Sequence, residues 1–156
     1  MKRTIIISFT LLLSLLLFQA CGNGDTAERN EEPDTEEGLT EFELEHGIGP
    51  VTERVEIDDE IDQELVIRGR DIYEMKCEMC HNMEGRMVGP ELGNVMDRRS
   101  PEFVMNFILN PSGMVREHPE GQTMLREYMT AMPFQNVKED EARAIVEFLR
   151  DYAENN

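Results

Sequence analysis

Two cysteines and a histidine stand together in the segment Cys77-Glu78-Met79-Cys80-His81, which has the spacing C-x-x-C-H. Thiols two residues apart can each add to one of the two vinyl groups of a haem, and the histidine beside them can then direct its ring at the iron. The motif therefore predicts one covalently bound haem, with Cys77 and Cys80 as the points of attachment and His81 as an iron ligand.

The same side chains allow two other kinds of site, a redox dithiol and a structural zinc site. A redox dithiol with this spacing normally belongs to a βαβ unit, whereas the residues before Cys77 have the spacing of a helix. Structural zinc takes four ligands, and only His46 or His118 could complete the set. Both alternatives fit less well than haem. We expect His46 to be an ordinary surface histidine, with iron ligation as the lesser alternative, and His118 to be an exposed histidine in a loop.

The chain of 156 residues carries 15 basic and 33 acidic residues, which gives a formal net charge of −18. A nucleic-acid-binding protein normally carries the opposite charge, so we expect no nucleic-acid partner. The three cysteines are an odd number, and this excludes a framework in which every cysteine forms a disulfide within the chain. The length is enough for one domain with additional segments.

The N-terminal residues predict an export signal. Lys2 and Arg3 precede an uncharged, almost wholly apolar stretch, residues 4–20, which ends directly before Cys21. This stretch is short for a membrane-spanning helix, which needs about 20 apolar residues. It resembles a bacterial lipoprotein signal, so we expect residues 1–20 to be a signal peptide and Cys21 to carry a lipid anchor. An uncleaved membrane anchor is the alternative, and both interpretations place the rest of the chain outside the cytoplasm.

Two segments separate Cys21 from the expected domain. Residues 22–45 contain ten acidic residues and one basic residue, Arg29, so they cannot bury enough apolar surface to offset the entropy of an ordered chain. We therefore predict that residues 21–45 are an acidic, disordered tether. Residues 46–63 carry scattered apolar side chains and are expected to form an extended arm of uncertain structure, which either packs on the domain or docks a partner.

From residue 64 onward the apolar residues recur with the spacing of helices, and no segment alternates as a strand. Asp62 is a plausible N-cap for the first domain helix, and Ser100-Pro101-Glu102 is a start signal for a second helix that runs to about Leu109. We expect a loop over residues 111–122, a short helix over residues 123–130, and a last helix that begins near Asn136 with Glu139 in a capping box. The predicted fold class is all-α.

Residues 65–152 resemble the class I cytochromes c. The matching features follow one another in the order of that family: a first helix with a glycine and an aromatic residue, the C-x-x-C-H motif, a Gly-Pro pair, a Met-Pro pair and a final helix (Gly69 and Tyr73, Cys77 to His81, Gly89-Pro90, Met132-Pro133, and residues 136–152). The resemblance implies a small helical domain, residues 64–156, wrapped around one covalent haem c.

The resemblance also implies roles for four further residues. Pro90 would accept a hydrogen bond from His81 through its backbone carbonyl, Leu92 would line one face of the haem, and Arg98 would pair with a haem propionate. Met132 would be the sixth ligand of the iron. The chain has eleven methionines, and Met129 and Met124 are the alternatives to Met132.

A haem iron with both axial positions taken by histidine and methionine suits electron transfer, because no position is open for a substrate. We therefore expect a single-haem electron carrier, not an enzyme, without a small-molecule substrate. It would be lipid-anchored in the bacterial cell envelope, facing the periplasm, and would pass electrons from a quinol-oxidising complex to a terminal reductase or oxidase. The alternatives are a haem-based sensor of small ligands and a fixed cytochrome subunit of a larger respiratory complex. Docking of an acidic surface onto a basic patch of the partner is expected.

Overall fold

Helices are the only regular secondary structure in residues 38–156, the part of the chain that this computed structural model describes. In chain order they are α1 (Glu41–His46), α2 (Gln63–Lys76), α3 (Val95–Arg98), α4 (Pro101–Leu109), α5 (Pro111–Glu117), α6 (Pro119–Tyr128) and α7 (Glu139–Asn155). The predicted all-α class is confirmed. Residues 1–20, Cys21 and most of the predicted tether lie outside the described range. Within that range no helix has both the length and the apolar character needed to cross a membrane.

The crossing of α2 and α7 organises the core. Asp62 caps α2 as predicted, because its carboxylate accepts hydrogen bonds from the backbone N–H groups at the start of the helix. The two helices touch at Gly69, where a Cβ atom would lie only 2.0 Å from the carbonyl oxygen of Ala144. One turn further on, the rings of Tyr73 and Phe148 pack with their centroids 5.4 Å apart. Glycine is therefore required at position 69 for the helices to approach this closely.

The segment predicted to be a loop, residues 111–122, is helical, and this prediction was wrong. Pro111 and Pro119 each occupy the first turn of a helix, where the missing N–H of proline costs nothing. His118 separates α5 from α6 and is 1% exposed, so the expectation of an exposed loop histidine was also wrong. Its Nδ1 accepts a hydrogen bond from the N–H of Glu120 and thereby caps α6, while Nε2 lies 3.2 Å from the carbonyl oxygen of Leu44.

The last helix begins later than predicted. Asn136 has a positive φ of 51° and lies outside the helix, which starts at Glu139. The capping contact at its N-terminus comes from Glu141 and not from the predicted Glu139. The carboxylate of Glu141 accepts a hydrogen bond from the N–H of Lys138 at 2.8 Å. The short helix before it also differs from the prediction, because α6 ends at Tyr128. The single turn α3 was not anticipated.

Ordered structure begins within the segment that was predicted to be a disordered tether. Helix α1 covers residues assigned to the disordered tether, and its start is closed by a capping box between Thr40 and Glu43. Beyond α1, residues 47–62 run as an irregular arm that includes the buried side chain of Val51. An amide on α4 holds this arm: the Nδ2 of the fully buried Asn106 donates to the carbonyls of His46, Gly47 and Val51, and its Oδ1 accepts from the N–H of Val51.

A second group of contacts, around Glu102, also holds the arm against α4. His46 is 4% exposed, which contradicts the expectation of a surface histidine, and its Nδ1 lies 2.8 Å from Ser100 Oγ. Glu102, also buried, accepts from the N–H of Val55 at 2.8 Å and pairs with Arg54 at 3.3 Å. Burial alone would raise the pKa of Glu102, but the N–H of Val55 and the guanidinium of Arg54 outweigh it and hold the pKa below its usual value.

We predict that acid releases the arm. Because the pKa of Glu102 is lowered in the folded chain, its carboxylate contributes stability that is present above the unfolded value of about 4.3 and is lost as the pH falls through the folded pKa. The protection factors of the amides at residues 51–55, which correct for the intrinsic pH dependence of hydrogen exchange, should therefore fall in acid. Glu102→Gln should show fast exchange already at neutral pH, whereas the exposed neighbour Glu53→Gln should behave as wild type. Protection factors that are equal at neutral and acidic pH in the wild type would contradict this role.

Candidate haem site

The C-x-x-C-H motif forms a tight turn directly after α2. Cys77 is the C-cap of that helix, and its carbonyl oxygen accepts from the N–H groups of Cys80 and His81, each at 3.0 Å. Neither cysteine forms a disulfide within residues 38–156, and both are half-buried. The hydroxyl of Tyr73 donates to the carbonyl of His81 at 2.6 Å, so that the turn is tied to the packed face of α2.

The ring of His81 is oriented by a backbone group. Its Nδ1 lies 2.9 Å from the carbonyl oxygen of Pro90, the contact that the resemblance implied. When Nδ1 donates to this carbonyl, Nε2 keeps its lone pair and is the nitrogen available to a metal. Gly89 allows the approach, since a Cβ there would lie 2.4 Å from Cε1 of the ring. The N–H of Gly89 also donates to the carbonyl of Cys80 at 2.8 Å, which closes the loop against the motif.

A single crevice joins the motif to the other predicted site residues. Its walls enclose about 1360 Å³, part of it open to solvent. The lining includes all seven predicted cofactor-binding residues: Cys77, Cys80, His81, Pro90, Leu92, Arg98 and Met132. Most of the remaining wall is apolar, and α4 and α7 contribute six apolar residues to it (Phe103, Val104, Phe107, Ile108, Ile145 and Leu149).

The three methionines considered for the sixth position differ in placement. Met132 and Met124 line the crevice, whereas Met129 is absent from its lining and is 83% exposed. Met129 is the C-cap of α6 in the left-handed conformation, with φ of 54°, and the chain turns there toward Met132. The assignment of Met132 as the iron ligand stays a prediction, and its position in the crevice is compatible with it.

Sequence reasoning missed several polar residues of the crevice. Lys76, Arg99 and Tyr128 line it beside the predicted Arg98. Arg98 is exposed and donates to Asn94 Oδ1 at 2.7 Å, and its proposed pairing with a propionate stays a prediction. The adjacent pair of arginines in the sequence is a signal of a positively charged site. Nothing local in the sequence marks Tyr128, because it reaches the crevice only through the packing of α6.

The structure disfavours both alternative sites. Burial raises the pKa of Cys77 to about 11, whereas a redox-active cysteine normally has a lowered pKa. Among residues 38–156 no three histidine, cysteine or acidic side chains cluster in a way that could hold a metal ion. His46 and His118, the possible fourth zinc ligands, hold contacts with α4 and α1 instead. An apolar crevice with two thiols and an oriented imidazole at one wall suits a haem.

Comparison with known proteins agrees with this geometry. Residues 66–153 match the cytochrome c family. One of the subunits of nitric oxide reductase from Stutzerimonas stutzeri is 34% identical over 90 residues, which cover 56% of this chain and 58% of that protein. The chain thus matches less than two thirds of this relative's length.

Two solved structures are similar over most of the described range. Cytochrome c from Rhodothermus marinus is 39% identical and covers 73% of this chain and 97% of its own, with a TM-score of 0.70. An engineered cytochrome c from the same organism, bound to a carbene intermediate, is also 39% identical and covers 72% and 97%, with a TM-score of 0.66.

We predict that Gly89→Ala disturbs the iron ligand without unfolding the chain. The added methyl group would press on the ring of His81 and lengthen its contact with the Pro90 carbonyl, so the reduction potential should shift. Potentiometry of the purified protein measures this. Met87→Ala, a truncation at an exposed position outside the lining of the crevice, should leave the potential unchanged. Equal potentials for Gly89→Ala and wild type would show that the contact does not constrain the ring.

The family match spans more than half of the chain, the helices follow the fold of the similar structures, and the crevice carries the donors that haem attachment requires. One domain of this kind binds one haem. The chain belongs to the cytochrome c family and carries a single covalent haem c.

Proposed function

We propose that this protein is a membrane-tethered electron carrier that passes electrons between respiratory complexes, and that the acceptor is a periplasmic terminal reductase or oxidase. Electron transfer follows from the cytochrome c domain. The observation that supports a carrier is the presence of an oriented His81 and of Met132 in one crevice. Two protein ligands would leave the iron no position for a substrate.

The residues of this chain have separable tasks in such a carrier. The haem supplies a one-electron change at its iron when bound. Cys77 and Cys80 would fix the haem by thioether bonds, and the Pro90 carbonyl holds the imidazole of His81 in one orientation. Side chains of α4 and α7 make the inner wall of the crevice apolar, and around a bound haem this wall would lower the local dielectric.

The surface around the mouth of the crevice suits an apolar contact with the partner. Four exposed apolar residues lie in or beside segments that line it: Met79, Met87, Val88 and Phe134. The lining contains one acidic residue, Glu91, and none of the acidic residues between positions 53 and 64. We therefore replace the expected acidic docking surface by an apolar contact area at the crevice, with charge acting on the approach of the partner.

A second candidate is a fixed component of a larger respiratory complex. The similarity to one of the subunits of nitric oxide reductase favours it. A permanent component would keep its partners through purification in mild detergent, whereas a carrier would be recovered alone. Recovery of a stoichiometric complex would make the fixed component the better description.

We further propose a location in the bacterial cell envelope, with Cys21 lipidated and the domain facing the periplasm. The proposal depends on the sequence of residues 1–21. Cys21→Ala should release the domain in soluble form or leave the signal uncleaved, as judged by fractionation and intact mass. An unmodified Cys21 in the wild-type protein, or retention of residues 1–20, would contradict it.

The function depends on Met132 as the sixth ligand. Met132→Ala should leave the haem attached, lower the reduction potential and allow carbon monoxide to bind to the reduced protein, because a neutral thioether favours ferrous iron and closes the site. Met129→Ala is the matched control and should change neither property, since Met129 is exposed and outside the crevice. If the wild type binds carbon monoxide readily, the sensor of small ligands becomes the better interpretation.

A further inference from the structure

The segment that carries Met132 lies between α6 and α7 and lines the crevice. Residues 129–131 are exposed, and the chain leaves α6 at Met129 in a left-handed conformation. Helix α6 packs on α5 near Gly121, at the end of the helix away from Met132. Residues 130 and 131 line the crevice and would meet a bound haem, and contacts with the protein itself hold both ends of the segment.

One contact lies before Met132 and comes from the opposite wall. Arg86 belongs to the loop between His81 and Pro90, and its Nη2 donates to the carbonyl oxygen of Glu127 at 2.8 Å. Its guanidinium carbon also lies 4.3 Å from the ring centroid of Tyr128. A cation at the C-terminal end of a helix satisfies a carbonyl that has no partner within the helix and interacts favourably with the helix dipole.

A second contact lies after Met132. Lys76, the last residue of α2, donates through Nζ to the carbonyl oxygens of Gln135 at 3.3 Å and Asn136 at 3.1 Å. Two cations, one on each side of the C-x-x-C-H motif, thus bind backbone carbonyls on either side of Met132. Neither needs a carboxylate to do so, and the ion pair of Arg86 with Glu127 is long, at 3.9 Å, and exposed.

We propose that Arg86 and Lys76 are positioning residues that hold the Met132 segment against the iron, an inference that rests on the proposed role of Met132. The two contacts tie the wall that carries the sixth ligand to the wall that carries His81. Without one of them, residues 128–136 would move outward more often, and the bond between the thioether sulfur and the iron would break more often. Carbon monoxide could then bind ferrous iron in place of the sulfur, with no change in oxidation state.

The test measures how fast carbon monoxide binds to the reduced haem protein. Because the thioether must leave first, the rate reports how often the segment opens. Arg86→Ala and Lys76→Ala should each raise it by about tenfold, the scale expected for losing a cation–π contact or a hydrogen bond from a charged group. The conservative variants Arg86→Lys and Lys76→Arg should restore much of the wild-type rate. Hydrogen exchange at residues 129–131 should accelerate in the two alanine variants.

Matched controls separate this effect from a general loss of surface charge. Arg126 is exposed on α6 and donates to Thr123 within its own helix, and Lys138 is exposed next to the start of α7. Arg126→Ala and Lys138→Ala should leave the rate unchanged. If they raise it as much as the test variants, or if Arg86→Ala and Lys76→Ala both leave it unchanged, the positioning role is wrong. Arg86→Gln and Lys76→Gln serve the same comparison should an alanine variant fail to fold.

Met132→Ala supplies the reference rate for an open site and distinguishes the ligand role of Met132 from the positioning role of the two cations. If the wild type reacts as fast as Met132→Ala, the thioether does not close the site, so both the proposed ligand and the positioning role fail. If Met132→Ala alone opens the site, Met132 stands as the ligand and only the positioning role of the two cations is overturned.

Discussion

The orientation of the His81 ring is the constraint on which the rest of the site depends. A ring held by the Pro90 carbonyl can present only Nε2 to the crevice, so a backbone loop sets the direction of the bond to the iron. The loop can come this close only because position 89 lacks a side chain. The hydroxyl of Tyr73 binds the carbonyl of His81 and so connects the iron ligand to α2. The contact at Gly69 in turn packs α2 against α7. The iron ligand is thereby connected to the core through short, directional contacts.

The two walls of the crevice are held in different ways. The wall of His81 depends on helix packing and on a turn whose backbone groups bond one another. The wall of Met132 is an exposed segment, with cations bound to carbonyls at either end. Donors that are already in position need little rearrangement when the charge at the iron changes. A firmly held histidine and a methionine segment tied at both ends would meet that requirement in an electron carrier.

The arm shows how a polar segment without regular structure becomes part of a domain. Residues 47–55 supply backbone groups, and α4 supplies two buried polar side chains, Asn106 and Glu102, that bind them. Buried polar groups are costly when unpaired, so these side chains and the arm each depend on the other. Since its inner backbone groups are occupied in this way, the arm is a structural part of the described domain.

The sequence by itself determined the attachment motif, the all-α class and the two strongest helix starts, at Asp62 and Ser100. These depend on local rules: the spacing of thiols, the period of apolar residues and the capping of helix termini. Only the tertiary structure decided the burial of His46 and His118, the helical state of most of residues 111–122, and the late start of α7. It also decided the place of Lys76 and Tyr128 at the crevice and the contacts of Arg86. The burial of the two histidines and the contacts of Lys76 and Arg86 depend on partners far along the chain, and the spacing of neighbouring residues carries no information about such partners.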